Sequence, residues 1–511
     1  MDLPIGIQDF AKLRQNQLIY VDKTMYFDAF LRAGVFFLAR PRRFGKSLLL
    51  STLKAIHEGR KDLFEGLWLY SRHDFKPRPV IRLDFANINF TNKSLDEGIL
   101  DWLRINALEY NYTIKSSNAR DAFRELILEL SKTEKVVILV DEYDKPITDT
   151  LFDLEKRNQH QLTLKNLYGT LKSLDAEIHQ VFLTGVSKIG KLSLFSDLNN
   201  LQDISLNDKY AVLCGYTRQE IEHYFVAYLE AVQKKFAVPM LELWQAIQHW
   251  YNGYSWDAVQ KVYCPFSFLL FLEQQEFRSF WYETGTPTFL LEMIKKAEIN
   301  PLRFDSIALD EMSISSPSIE RLESVSLMFQ TGYLTIQQKI TNLQGTRYQL
   351  SYPNEEVRQA FSKGLLEVYS EHNIHEYGSF SLELHDALTT LNWTAFFAIT
   401  NRVFAAIPYE IFPKREIYMH SLMHLMLIST GFRATSQVQT SLGRIDTVLE
   451  MPEQIILFEF KLGGDATTAL KQIKDGQYAN GYSKSVIGIG VVFDVEQKSI
   501  VAWQAETLSP S

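Results

Sequence analysis

The chain has 511 residues, 46% hydrophobic and 22% charged, which makes it an ordinary globular protein with material for two or three cores. Its 53 basic and 61 acidic residues leave a formal charge of -8, so no global basic field announces a nucleic-acid binder and any such binding must be local. Two cysteines, Cys214 and Cys264, exclude a disulfide framework and a Cys-rich zinc site. The start MDLPIGIQDF has no secretory pattern, and no apolar run approaches the ~20 residues of a membrane helix, so a soluble protein of the reducing cytoplasm with no membrane partner is expected.

In chain order, the first chemical signal is GVFFLARPRRFGKSLLLSTL (34–53). Val35 to Ala39 reads as a buried strand and Ser47 to Leu53 as a helix packed on a sheet. Between them RPRRFGKS (40–47) approximates G-x-x-x-x-G-K-[ST], the loop whose amides and following helix N-terminus wrap a phosphate, whose Lys reaches the outer phosphates and whose hydroxyl holds Mg2+. Gly45, Lys46 and Ser47 fit, whereas Arg40 stands in place of the first glycine. Further strands are expected at Val80 to Phe85, Val136 to Val140 and Val181 to Thr184. Their alternation with helical stretches predicts an α/β domain over 1–205, with a mainly parallel sheet and ligands beyond the strands' carboxyl ends. VVILV runs straight into Asp141 and Glu142, which predicts Asp141 as the Mg2+ residue partnering Ser47 and Glu142 as the general base for water. Thr184 and Ser187 end the next strand; each either contacts the terminal phosphate or the water, or is a satisfied hydroxyl in a turn.

From 206 to 400 the pattern turns helical and aromatic. Thr217 with Glu220 forms a capping box ahead of an amphipathic helix over 217–236, and WYNGYSW (250–256) marks a turn between helices. The aromatic stripes are read as core, not as stacking platforms for bases. YLTIQQK and RYQLSY, between 329 and 352, form a short strand pair. His420 and His424 share a helix from Tyr418 to Ile428 at a spacing that can bind zinc, but HSLMH lacks the metalloprotease glutamate and its apolar neighbours favour a packed helix. GIG (488–490) lacks the third glycine of a dinucleotide fingerprint and is read as part of a buried strand, 485–493.

The last segment, 401–511, carries a second constellation. In SLGRIDTVLEMPEQIILFEFKL (441–462) two alternating runs flank MPEQ, which predicts a hairpin with a four-residue loop and sets Asp446 opposite Glu459. Lys461 shares a face with Glu459. Two carboxylates can hold Mg2+ against a phosphodiester while an ammonium orients water or neutralises developing charge; the alternative is a cross-strand salt bridge. Glu459 and Lys461 lie on the face of Leu457 and Ile455, where unpaired charges are costly.

GIQDF (6–10), YVDKT (20–24), RPRRFGKSLLLSTL (40–53), LVDEYDKPI (139–147) and LTGVSKIGKLSLFSDLNNL (183–201) together resemble the bacterial AAA-ATPase-like family, whose members carry a C-terminal nuclease-like domain. The resemblance implies a P-loop NTPase domain that binds ATP at Lys46 and Ser47 and hydrolyses it with Mg2+ at Asp141 and Glu142; Arg43, Gly45 and Thr184 complete the expected ATP-binding set. WYNGY, VYCPFSFLLFL and WYETG also recur in that family and imply a helical lid and connecting region. The resemblance identifies no arginine finger; Arg42 and Arg43 are candidates, within a subunit or across a homo-oligomer, and a solvated basic turn is the equal alternative. Asp446 with Glu459-Phe-Lys461 similarly resembles the PD-(D/E)xK nuclease superfamily, which implies a restriction-endonuclease-like α/β domain cutting DNA, with Asp446 and Glu459 as metal ligands and Asp446, Glu459 and Lys461 as its catalytic set. A helix from Ala466 to Lys474 fits that core order, and Gln472 and Tyr478 fall where that domain has a Gln and a Tyr near its site. One departure is Gln437, where the resembled pattern often has Glu. The two resemblances together imply ATP hydrolysis coupled to Mg2+-dependent DNA cleavage; the alternative is an ATP-switched binding module with an inactive nuclease-like domain.

Overall fold

The computed structural model describes the chain except residues 29, 196–197, 282–289, 292, 295–301, 303, 316–323, 371–379, 407–415, 441–442 and 509–511. It divides into two compact units, Met1–Trp281 with Ala308–Asn354, and Tyr282–Ile307 with Glu355–Ser511. Residues 206–400, read from the sequence as a connecting region, are thus shared between the units. Among the described residues no helix is long and apolar enough to cross a membrane.

The first unit is built on β1 (Gly34–Ala39), β2 (Val80–Asp84), β3 (Val136–Asp141), β4 (Ile178–Gly185) and β5 (Leu201–Asp203), in the order β2-β3-β4-β1-β5 with every pair parallel. The four expected strands are present, and their side chains are almost all buried, as a sheet covered on both faces requires. Because β4 lies between β1 and β3, the carboxyl ends carrying the loop, Thr184 and Asp141 stand side by side. The helix Lys46–His57 follows β1 and buries Leu49, Leu50, Leu53 and Ile56, one stripe at helical spacing. Gly45 caps it at φ 88°, a left-handed conformation that an L side chain would strain.

The aromatic segments of the middle region are core: Phe225, Trp244, Tyr251, Phe268 and Phe271 form one buried cluster. The capping box of Thr217 and Glu220 is formed, but the expected single helix is two, Arg218–Tyr224 and Val226–Phe236. The break falls at Phe225, whose ring is drawn into the core between Tyr216 and Phe268. The expected strand pair is β7 (Thr335–Asn342) and β8 (Gly345–Ser351), in a three-stranded sheet completed by β6 (Ile307–Asp310).

In the second unit β9 (Arg433–Thr440), β10 (Gly443–Glu450), β11 (Gln454–Leu462), β12 (Ser485–Asp494) and β13 (Ser499–Leu508) form a sheet in the order β13-β12-β11-β10-β9. Only β11 and β12 pair in parallel, joined through the helix Ala466–Asp475. One sheet face packs Ile455, Leu457, Val448 and Val486 against Leu470 and Ile473 of that helix. The other carries Phe458 and Phe460, with Phe460 against His420 of the helix Glu416–Ser429. The GIG run is explained by close approach: a Cβ on Gly490 would lie 2.2 Å from the carbonyl oxygen of Ala466 and 2.7 Å from the amide nitrogen of Leu470. Backbone atoms cannot rotate aside, so Gly490→Ala must displace the helix, and a loss of about 3 kcal/mol is expected by thermal or urea unfolding. An unchanged melting temperature would contradict this packing.

Candidate functional sites

The phosphate loop leaves β1 at Ala39 and enters its helix at Lys46. Lys46 is buried, and its Nζ donates to the carbonyls of Arg40 and Pro41, each at 2.9 Å. Burial pushes this ammonium below the usual lysine range, against the pull of Asp141, Glu142 and Asp144. Ser47 is half-buried on the first turn, while Arg42 and Arg43 are exposed. The Arg43 guanidinium stands 4.5 Å over the Phe266 ring, and its backbone is left-handed at φ 69°.

Across the sheet, Asp141 is buried at the end of β3. Its Oδ1 accepts the Thr184 hydroxyl at 2.7 Å, and its Oδ2 lies 3.7 Å from Arg82. Thr184 is therefore placed to orient Asp141. Glu142 is half-buried with a left-handed backbone, φ 52°, and burial lifts its carboxyl above the usual range while Lys46 pulls it down. A raised carboxyl pKa makes a stronger proton acceptor at the position expected of a general base. Ser187 is tied to Asp144, whose Oδ2 accepts both its amide and its hydroxyl at 2.7 Å.

Two participants were not read from the sequence. Asp144, buried three residues past Asp141, fixes the turn that follows β4; the repeated acid in DEYD was its signal. Arg82 bridges toward Asp141 and Asp84, 3.2 Å from the latter, and Asp84 pairs in register with Asp141. An arginine two residues before a strand end was the available sign.

In the second unit the hairpin forms in the expected register, with Thr447 opposite Phe458, Val448 opposite Leu457 and Glu450 opposite Ile455. Asp446 and Glu459 are the next positions along. Oδ2 of Asp446 accepts the amide of Phe460 at 2.9 Å, and Lys461 Nζ stands 3.3 Å from Glu459 Oε1. Glu459 is 2% exposed, and its Oε2 has no hydrogen-bond partner. Burial, reinforced by the charge of Asp446 and opposed by Lys461, pushes its carboxyl up to about 7. Gln437 lies in β9 opposite Asp446, between the pairs Ile445 with Val438 and Thr447 with Ser436, and its φ of 51° kinks the strand there. Tyr478 donates its hydroxyl to the Arg444 carbonyl at 3.3 Å, while Gln472 sits half-buried on the helix beside it. His420 and His424 are both buried; His420 Nε2 lies 2.9 Å from the Thr447 hydroxyl and burial pushes its imidazole down to about 4, so it is neutral and packed.

An orphaned, buried carboxylate oxygen beside a second carboxylate fits a hard divalent cation, with Asp446 and Glu459 as ligands. Because the folded state holds the Glu459 proton more tightly than the unfolded chain does, its contribution to stability is full below the ordinary carboxylate range and is lost as pH rises through about 7. Bound Mg2+ or Mn2+ competes with that proton. The rise in melting temperature on adding metal should therefore be larger at pH 8 than at pH 6, and Glu459→Gln should remove it; equal gains at both pH values would contradict the assignment.

Residues 4–195 match the family model described as a predicted AAA-ATPase, and residues 414–503 match that of the PD-(D/E)XK nuclease superfamily. The chain is also 35% identical over 525 residues to a protein of Azotobacter chroococcum mcd 1, named "Uncharacterized protein in vnfD 5'region", with 99% of each chain covered.

Proposed function

Since the chain belongs to the family of predicted AAA-ATPases that carry a PD-(D/E)XK nuclease superfamily domain, we propose that it hydrolyses ATP in its first unit and cuts DNA phosphodiesters in its second. Lys46 exchanges its two loop carbonyls for the outer phosphates of ATP. Ser47 and Asp141 would hold Mg2+ there, Thr184 keeps Asp141 oriented, and Glu142 takes the proton of the attacking water. At the second site Asp446 and Glu459 would hold Mg2+, which supplies Lewis acidity and an activated water when bound. Lys461 orients that water or neutralises charge developing on the phosphate. In this reading the protein works in the cytoplasm, and Arg42 and Arg43, both exposed, act as fingers within a subunit or between copies.

The observation that carries the second activity is the unpartnered Glu459 Oε2, buried beside Asp446 and Lys461. The test is cleavage of supercoiled, linear and single-stranded DNA with Mg2+ or Mn2+, with and without ATP, by wild type and Lys46→Ala. Metal-dependent cleavage that ATP alters in wild type but not in Lys46→Ala is expected. A second reading is favoured by Gln437, which sets an amide opposite Asp446, and by the fact that the described residues contain no group of three His, Cys, Asp or Glu able to hold a metal. An ATP-switched binding module would turn over ATP and bind DNA, with affinity falling as salt rises, yet cut nothing under any condition.

A further inference from the structure

Where the general phosphate-loop pattern has its first glycine, this chain has Arg40, and its side chain is 0% exposed. Its guanidinium donates to three backbone carbonyls: Ala39 at 2.9 Å, Ser205 at 2.7 Å and Tyr210 at 3.0 Å. It also lies 3.9 Å from the centre of the Trp256 ring. Among the described residues it has no salt-bridge partner. A buried cation without an ion-pair partner is expensive, and the fork of a guanidinium offsets that cost by gripping several carbonyls at once; here Nε alone is left without a hydrogen-bond partner, and the charges of Asp203 and Asp257 favour the cation from farther off. Meanwhile the carbonyl of Arg40 accepts Lys46 Nζ. One residue thus joins the lysine of the loop to the segment that follows β5.

The backbone explains why a glycine is not needed there. The left-handed positions of the loop are Arg43 and Gly45, and position 40 is not among them. The rest of the loop is gripped as well. Pro41 lies so close to Gly332 that a Cβ there would come within 2.8 Å, the Arg42 carbonyl accepts Trp281 Nε1 at 3.2 Å, and Phe44 packs edge-on to Tyr254 at 4.7 Å. With Arg43 over Phe266, each residue from 40 to 44 is held by a partner between 205 and 332.

We propose that Arg40 is a positioning residue for nucleotide binding: its carbonyl bonds and the Trp256 face clamp the start of the loop, so that Lys46 and the loop amides are already arranged for phosphate. Preorganisation of this kind lowers the ordering cost of binding. The fixed charge adds to the positive potential of the site. Burial pushes the guanidinium down only to about 10, so it remains charged at neutral pH. The inference rests on ATP binding at Lys46.

The decisive variant is Arg40→Gly, which restores the general pattern while removing the clamp. If the pattern's glycine were what the loop lacked, Arg40→Gly would bind ATP as well as wild type or better. The clamp predicts the opposite: Kd and KM for ATP-Mg2+ raised about tenfold or more, with kcat at saturation within about threefold. Arg40→Lys, which keeps the charge but not the fork, should fall between them. Trp256→Leu, which leaves the carbonyl bonds in place, should raise KM about two- to fivefold and decides the matter should the Arg40 variants not fold. Unchanged ATP affinity in a folded Arg40→Gly or Arg40→Lys, or in Trp256→Leu when neither folds, would overturn the proposal. Failure of wild type to bind ATP at all would instead overturn the ATPase reading on which it rests.

Discussion

Lys46→Ala is expected to lower ATP turnover by about 10²- to 10³-fold, the scale of losing one preorganised donor to a transferring group, and to leave the fold intact. The two halves of this expectation have one physical source. Lys46 is buried, and burial works against its charge, so removing the ammonium relieves a desolvation cost as well as deleting two hydrogen bonds to Arg40 and Pro41. The two terms oppose each other, and the melting temperature should change little. Lys46→Arg should not rescue turnover, because a planar guanidinium in a slot closed by the carbonyls of Arg40 and Pro41 cannot replace a compact ammonium. Phosphate release measured beside thermal unfolding checks both halves. Intact turnover in a folded Lys46→Ala would remove the first site from the account; lost turnover with a collapsed melting temperature would make Lys46 a structural residue.

What the sequence made legible, and what it did not, follows from the range of the interactions. β1, β2, β3 and β4 are short apolar runs buried on both sides, and such runs declare themselves locally. The hairpin register also follows from local chemistry, since the turn at MPEQ fixes every pairing behind it. β5 was missed because Leu201–Asp203 is three residues long, too short to show a period. The single helix expected over 217–236 was missed at Phe225, where burial of one ring outweighs helix continuity. Residue identity singled out Lys46, Asp141, Asp446 and Glu459 as candidates, but not the side chains and carbonyls they bond. Thr184 against Asp141, Ser187 against Asp144 and Arg40 against Ser205 and Tyr210 join segments far apart in the chain, and a linear pattern carries no record of such contacts.

Lys461→Ala should reduce DNA cleavage by about 10²- to 10³-fold while the metal-induced rise in melting temperature persists. Lys461 is no part of the carboxylate pair, and its side chain is 34% exposed, 3.3 Å from Glu459. In the proposed reading an ammonium there would meet the phosphate or the attacking water and would not hold the cation. Asp446→Ala should behave differently, because it would delete a proposed metal ligand and the acceptor of the Phe460 amide together, so cleavage and the metal effect should vanish jointly. A structural salt bridge makes the contrary prediction. If Lys461 only balanced Glu459, wild type would cut nothing, and Lys461→Ala would leave a buried carboxylate without a counter-ion and lower stability at pH 8 far more than at pH 6. Measuring cleavage, metal response and the pH dependence of unfolding on the same two variants therefore distinguishes a working nuclease site from a charge pair that merely occupies its position.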